Sequence, residues 1–445
     1  MSTLRRIAAT VSITVAASLS LAGCAGFGGG GGGNDAGGGG ASSGGTPTGN
    51  ITFTTWASKA EQTSFESLVK KFQGEHPGTT IKLNVVPYEQ MFSNIDAQLS
   101  SGDAPDVFRV DYGNLGVYSS QDQLLDVSSS FSADESKQFT PAMWEAVSHD
   151  GKPYGVPHQT DVSALAVNTD MLQKAGIDPA SLPKTQDDAW TWDEFQAVAT
   201  KLRANLPANK YPFVDNWQLA GATRWLSWLF QADGKLLQDD QKTPAVNSDE
   251  GRRALDLTKS FFAKKWVPPT SSIKSPTYAD SLFTEGTTAM AFLGSFLIPD
   301  MNNLAKFKWT VVPMPKDKRA ATDLGGNAVV ATKATKNPQL AAAFLKFLVQ
   351  PDNMAAFCGA TNELPTRTDL AGSKVTYKVR PDVMPVFVDQ AATIQPSDVK
   401  QITSPVMAAA NTALQDQLDA AFVGNQSTQD TLDKLTSAIQ KAADK

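Results

Sequence analysis

Two rhythms organise the apolar positions of the ordered part of the chain. In Ile51-Thr52-Phe53-Thr54-Thr55 apolar and hydroxyl side chains alternate, the period of a strand with one face turned inward. Ser58 and Glu61 follow at capping-box spacing, and Phe65, Leu68, Val69 and Phe72 recur at helical spacing until Gly74 and Pro77 end the run. "TIKLNVVP" predicts a second strand; Phe92, Ile95 and Leu99 predict one face of a helix ending near Gly102; "DVFRV" predicts a third strand. Strand, helix, strand, helix, strand is the signature of an α/β unit around a largely parallel sheet.

Further on, "SALAVN" reads as a strand leading into a helix that stops at Gly176, and Thr191 with Glu194 makes a second capping box at "TWDEF". Residues 193–310 read as mostly helical, interrupted by the Trp-rich "NWQLAGATRWLSWLFQADG". "GGNAVVATKATKNPQLAAAFLKFLVQP" repeats the strand-to-helix passage of the first third, and Pro405 to Lys445 reads as two amphipathic helices. A chain of 445 residues exceeds one ordinary core, which predicts two or three domains.

The first 50 residues follow neither rhythm. Arg5 and Arg6 precede an apolar stretch, Ile7 to Ala22, diluted by Thr10, Ser12, Thr14, Ser18 and Ser20. This is the layout of a secretory signal, residues 1–23, and it is too short and hydroxyl-rich for a membrane span. From Ala25 to about Asn50 the chain is Gly, Ser, Thr and Ala with almost nothing to bury, so residues 24–50 are expected to form a disordered tether. Gly-rich chain of that length reaches on the order of 25–30 Å.

Charge and cysteine usage exclude several classes. The net charge is -6, and removing Arg5 and Arg6 with the leader leaves 37 basic against 45 acidic residues, a net of -8. No dense Lys/Arg stripe is present, so no nucleic-acid partner is expected. Two cysteines, Cys24 and Cys358, do not make a disulfide framework, and the fold must rest on its core. Cys358 reads as a small buried apolar residue.

Candidate chemistry is sparse. His76, His149 and His158 have no carboxylate or cysteine at metal-ligand spacing, so no metal or other cofactor is expected. No Gly-x-Ser-x-Gly elbow stands between a predicted strand and helix, there is no Walker-type loop, and "GGNAVV" at Gly325 lacks the spaced glycines of a dinucleotide fingerprint. A glycosidase's carboxylate pair exists only in space and stays open. Aromatic and planar polar residues do stand at strand ends, where open α/β sheets bind ligands: Trp56, Asp111 and Asp161. Aromatic rings can cover the C–H faces of a sugar, while Asp, Glu, Asn and Arg pair with its hydroxyls. Local duties compete at several positions. Glu61 serves its capping box, Asp111 can cap the next turn, Arg367 can form a surface ion pair and His158 can simply pack. Trp192 and Trp266 read as packing residues, whereas Trp217, Trp225 and Trp228 are balanced between core and ligand.

Several segments, in this order, resemble the carbohydrate-specific extracellular solute-binding proteins of ABC importers, the maltose-binding-protein group. They are "GDAPDVFRVDYGN", "GKPYGVPHQTDVSALAVNTDMLQKAGI", "TWDEF", "FTEGTTAMAFLGSF", "VVPMPKD" with "GGNAVV", "KNPQLAAAFLKFL" and "ELPTR". Leu21-Ala22-Gly23-Cys24 is similar to the bacterial lipobox, with Cys24 as the lipidated first mature residue. The resemblance implies a two-lobed periplasmic-binding-protein fold. Each lobe would be a mostly parallel sheet flanked by helices, with crossover strands as the hinge, lobe 1 formed by 51–160 with 316–366 and lobe 2 by 161–315 with 367–445. It implies a ligand cleft with Asp161 near the hinge, Glu89 and Asp111 on the first lobe, Asn327 in "GGNAVV" and Arg367 in the "LPTR" segment. Phe296 stands where many members carry a stacking Trp, leaving Trp225 or Trp228 to supply that platform. The expected partners are a small carbohydrate, the permease subunits and, through lipid, the outer face of the cell membrane. The chain is expected to be a monomer and not an enzyme. A lipid-anchored glycosidase, or the same fold binding a glycerophosphodiester or a polyamine, are the alternatives.

Overall fold

The computed structural model describes residues 47–372 and 374–444; the leader, Cys24 and most of the glycine tether lie outside them. The first αβ unit forms as its apolar rhythm predicts: β1 (Gly49–Thr55), α1 (Lys59–Glu75), β2 (Thr79–Val85), α2 (Tyr88–Ser101), β3 (Val107–Asp111) and α3 (Tyr112–Ser120). Ser58 and Glu61 close the capping box of α1, and Phe65, Leu68, Val69 and Phe72 are its buried stripe. Gly102 ends α2 in the left-handed region at φ 81°, which glycine adopts without a Cβ penalty.

After a two-residue hairpin, β4 (Ser148–His149) with β5 (Lys152–Pro153), come β6 (Gly155–Gln159) and β7 (Ser163–Asn168). The remaining strands are β8 (Tyr211–Val214), β9 (Thr288–Gly294), β10 (Trp309–Val312) and β11 (Asn327–Ala331). They build two sheets, one in the order β2-β1-β3-β11-β6 and one in the order β10-β7-β9-β8. The chain passes between them at residues 160–162 and again at 313–326, so each sheet is assembled from distant segments.

The largely parallel sheets expected from sequence are mixed. β1 pairs parallel with β2 and β3, and β8 with β9, whereas β11 runs antiparallel to β3 and β6, and β7 antiparallel to β9 and β10. The strands that cross between lobes enter each sheet against the local βαβ direction. The mostly helical reading of 193–310 also needs correction, because β9 is a central strand with all seven residues buried. A strand covered on both faces loses its alternation and cannot be told from a helix by period.

The last two helices, Met407–Phe422 and Thr428–Ala443, pack as an amphipathic pair. The first of them touches both α3 and the 3-10 segment Leu219–Trp225, so the C-terminal region bridges the two halves rather than belonging to the second alone. Arg367, expected with the second lobe, bridges to Phe139 and hydrogen-bonds Gln138 on the first. Among the described residues no helix is long and apolar enough to cross a membrane.

Candidate functional site

A cavity of about 600 Å³ opens between the two sheets, lined from both halves and from the crossing segments. Its walls are the strand ends. Trp56 follows β1, Asp111 ends β3, Asp161 follows β6, Asn216 follows β8 and Phe296 follows β9. Asn327 opens β11, which runs the other way and so presents its first residue at the same edge. This is the crevice beyond strand termini where open α/β sheets take ligands.

On the first-lobe wall the organising residue is Arg109. It sits on β3, is 1% exposed, and its guanidinium holds Glu61 at 2.6 Å and Glu363 at 3.2 Å. Its Nη1 donates to the Trp56 carbonyl at 3.1 Å, and the guanidinium lies 4.7 Å from the Trp56 ring centre. With its amide turned to satisfy its neighbours, Asn327 accepts from Arg109 Nη2 at 2.9 Å and from Gln159 Nε2 at 2.6 Å. Burial alone would raise the Glu61 carboxyl; Arg109 and the Ser58 hydrogen bonds outweigh it and hold the group below its ordinary value. Burial and the charge of Glu61 push the Glu363 carboxyl well up, against the pull of Arg109. Trp56 meets Tyr88 and Phe92 edge-on at 5.1 and 5.8 Å, forming an aromatic corner.

Asp111 does both things the sequence offered. It caps α3, accepting from the Asn114 backbone at 2.9 Å, and it lines the cavity with Tyr88 donating to its Oδ2 at 3.2 Å. Burial raises its carboxyl.

The hinge and second-lobe wall is differently built. Asp161 is 6% exposed, and its Oδ1 has no hydrogen-bond partner among the described residues. A methyl group on Gly325 would collide with its carboxylate, so the glycine is what lets the backbone lie against Asp161. Burial raises the Asp161 carboxyl to about 6, against the pull of Arg224. Arg224 itself approaches Asp323 at 3.5 Å, and Ser227 donates to Asp323 at 3.3 Å. Tyr278, Asp280, Phe296 and Asp300 complete this wall, with Tyr278 and Phe296 among the few large exposed apolar side chains.

Six of the ten candidate ligand residues therefore line the cavity: Trp56, Glu61, Asp111, Asp161, Phe296 and Asn327. Four do not. Trp225 and Trp228 are fully buried and donate to Thr258 Oγ1 at 3.1 Å and Asp215 Oδ2 at 3.0 Å. With Trp217 they are core, because a segment that must cover an aromatic cluster of Phe195, Phe213 and Phe261 needs large rings for packing. Arg367 is itself buried against Phe139 and doubly bonded to the exposed Asp369, so its ion pair reaches the surface, as its local duty allowed, and lies outside the cleft. Glu89 lies exposed in the first turn of α2, outside the lining, though its charge together with burial raises the Tyr278 phenol across the mouth. His158 packs between Phe65 and Phe357, and burial pushes its imidazole down to about 3.

Sequence reasoning missed Arg109, Arg224, Tyr278, Asp280, Asp323 and Glu363. Arg109 left a signal: one cation inside the otherwise apolar "DVFRV". The others sit in loops or short helical segments, Arg224 in the 3-10 segment Leu219–Trp225 and Asp280 in the helix Ala279–Thr284, whose convergence depends on the fold. Among the described residues no cluster of His, Cys, Asp and Glu is arranged to hold a metal ion.

The model for bacterial extracellular solute-binding proteins matches residues 67–385. The chain belongs to that family. It is 25% identical over 401 residues to the maltodextrin-binding protein MdxE of Bacillus subtilis, covering 88% of this chain and 90% of that one. It is 28% identical over 316 residues to an arabinooligosaccharide-binding protein of the same organism, covering 67% and 68%. The cyclic alpha-maltosyl-1,6-maltose binding protein of Arthrobacter globiformis superimposes with a TM-score of 0.74 at 21% identity, over 89% of this chain and 99% of that one. The two-lobed fold of this solute-binding family is thus shared over nearly all the described residues, and the family places the chain outside the cytoplasm.

Proposed function

We propose that the chain is the ligand-capturing component of an ABC importer, taking a mono- or oligosaccharide in the cleft and presenting it to a membrane permease. The observation that carries this reading is the cavity itself: aromatic faces at Trp56, Tyr88, Tyr278 and Phe296 alternate with planar polar groups at Asp111, Asp161 and Asn216. Pyranose rings need that alternation, apolar C–H faces against aromatic rings and hydroxyls against fixed acceptors. The sugars named for the curated relatives support it. The lining comes from both lobes, so closure alone completes the contacts, and a ligand drives closure by its differential affinity for that state. Moving the equilibrium from 1:99 to 99:1 takes about 5.5 kcal/mol in favour of the closed form.

Lipid on Cys24, followed by the glycine tether, would keep the lobes near their permease and raise its effective concentration. Cys24→Ala then releases the protein from membranes while ligand affinity is unchanged.

Intrinsic-fluorescence titration against a sugar panel tests the main reading, because Trp56 lies in the cleft. A saturable change with at least one sugar is expected. No response to any sugar, alongside a response to a peptide, would overturn it.

A further inference from the structure

The charges lining the cleft do not balance. Arg109 is consumed by Glu61 and Glu363, and Arg224 faces Asp323. Asp111, Asp161, Asp280 and Asp300 also line the cavity, and among the described residues none of them has a cationic partner within 4.0 Å. Of these, Asp161 is more than nine-tenths buried and has an oxygen with no hydrogen-bond partner. An uncompensated carboxylate in a closing cleft gains most from a ligand that brings a positive charge. The aromatic faces of Trp56, Tyr88, Tyr278 and Phe296 can receive both a sugar ring and an adjacent cation.

We infer that this cleft selects a saccharide carrying a protonated amine, with the ammonium group seated against Asp161 and the acidic wall of Asp280 and Asp300. The inference rests on the sugar-binding reading above and narrows it. A sugar phosphate or a uronate would meet the same carboxylates with like charge, which weighs against the glycerophosphodiester alternative on electrostatic grounds. A neutral sugar can hydrogen-bond to these acids but leaves their charge uncompensated. Burial holds the Asp161 carboxyl at about 6 without ligand, and a bound ammonium would draw it back down, so amine binding should strengthen from pH 5 to pH 7.5. Arg224, Asp323 and Arg109 are the charged groups that also act on Asp161.

Calorimetric titration of the leaderless protein tests this. Glucose and its α- and β-linked disaccharides are each compared with the amino-substituted, N-acetylated and carboxylate-bearing counterparts, and with putrescine. The expected result is that at least one amino sugar binds about tenfold or more tightly than its neutral and N-acetylated partners, with the carboxylate form weakest. Asp161→Asn should erase most of that preference, and the double variant at the half-buried Asp280 and the exposed Asp300, Asp280→Asn with Asp300→Asn, should reduce it without touching the Arg109 network. Neutral sugars binding as tightly as their amino partners would overturn the inference and leave the sugar-binding reading standing. Putrescine binding with no sugar binding, or no response to any of these compounds, would overturn both.

Discussion

The two walls of the cleft carry the same residue types and use them in opposite ways. On the first lobe, Glu61, Glu363 and Asn327 converge on Arg109 and Gln159 donates to Glu363 and Asn327, so the acids share a cation inside the protein, with Gln159 Oε1 left without a partner among the described residues. Across the cavity, Asp161 keeps an unpartnered oxygen, and Asp280 and Asp300 have no cation beside them. A satisfied buried network rigidifies the wall it belongs to, whereas an unsatisfied one is a reservoir of interaction for something that arrives later. Acidity alone therefore does not mark the binding wall; acids without a cation beside them do.

Breaking the satisfied wall should have the largest effect. Arg109→Met leaves two buried carboxyl groups without their cation, which costs about 3–5 kcal/mol in stability by the usual penalty for an orphaned buried charge. Urea denaturation should show it, and a change under 1 kcal/mol would mean the network is not what holds this wall. The opposite wall should respond with the opposite sign. Unfolded, Asp161 titrates near 3.8; folded, near 6. Between those values the native state binds more protons, so its stability falls as pH rises and levels off above about 6. Asp161→Asn removes that loss. It should be close to neutral at pH 4 and stabilise at pH 7 by up to about 3 kcal/mol. Equal denaturation midpoints for variant and parent at pH 7 would refute the sign.

Smaller effects separate cleft aromatics from core aromatics. Trp56→Ala should weaken ligand binding about tenfold, as for a central aromatic anchor. Trp228→Phe keeps an aromatic ring but loses the rest of the buried indole and the bond to Asp215, so it should lower stability by about 1–3 kcal/mol with affinity unchanged. If the two variants exchange these phenotypes, the placement of the Trp residues is wrong. Least of all, Arg367→Lys breaks the doubly bonded contact to Asp369 and should cost about 1 kcal/mol in stability alone, read as a shifted thermal midpoint.

Legibility followed sequence distance. The first αβ unit, both capping boxes and the C-terminal helix pair were readable because each is fixed by residues within a few turns of one another. Strand β9 was not, since "TAMAFLG" is apolar throughout and its strand character comes from neighbours on both faces. Trp225 and Trp228 resembled ligand platforms in sequence, and only the cluster of Phe195, Phe213 and Phe261 made them core. Asp161 was placed by its strand-end position and again through the resemblance, and Phe296 through the resemblance, whereas Arg224, Tyr278 and Asp323 come from separate segments that no local period connects.

By itself the sequence determined the glycine-rich composition that precedes the ordered chain, the αβ rhythm, the caps that start its helices and the strand-end positions of Trp56, Asp111 and Asp161. These follow from local sterics and from period, which act over a few residues. Only the tertiary structure decided that the chain crosses between two mixed sheets, that Arg109 silences two of the acids and that Asp161 is left unmet. Those outcomes depend on burial and on pairing between residues up to about 250 positions apart, Arg109 with Glu363 being separated by 254, and desolvation is a property of the folded environment rather than of the residue.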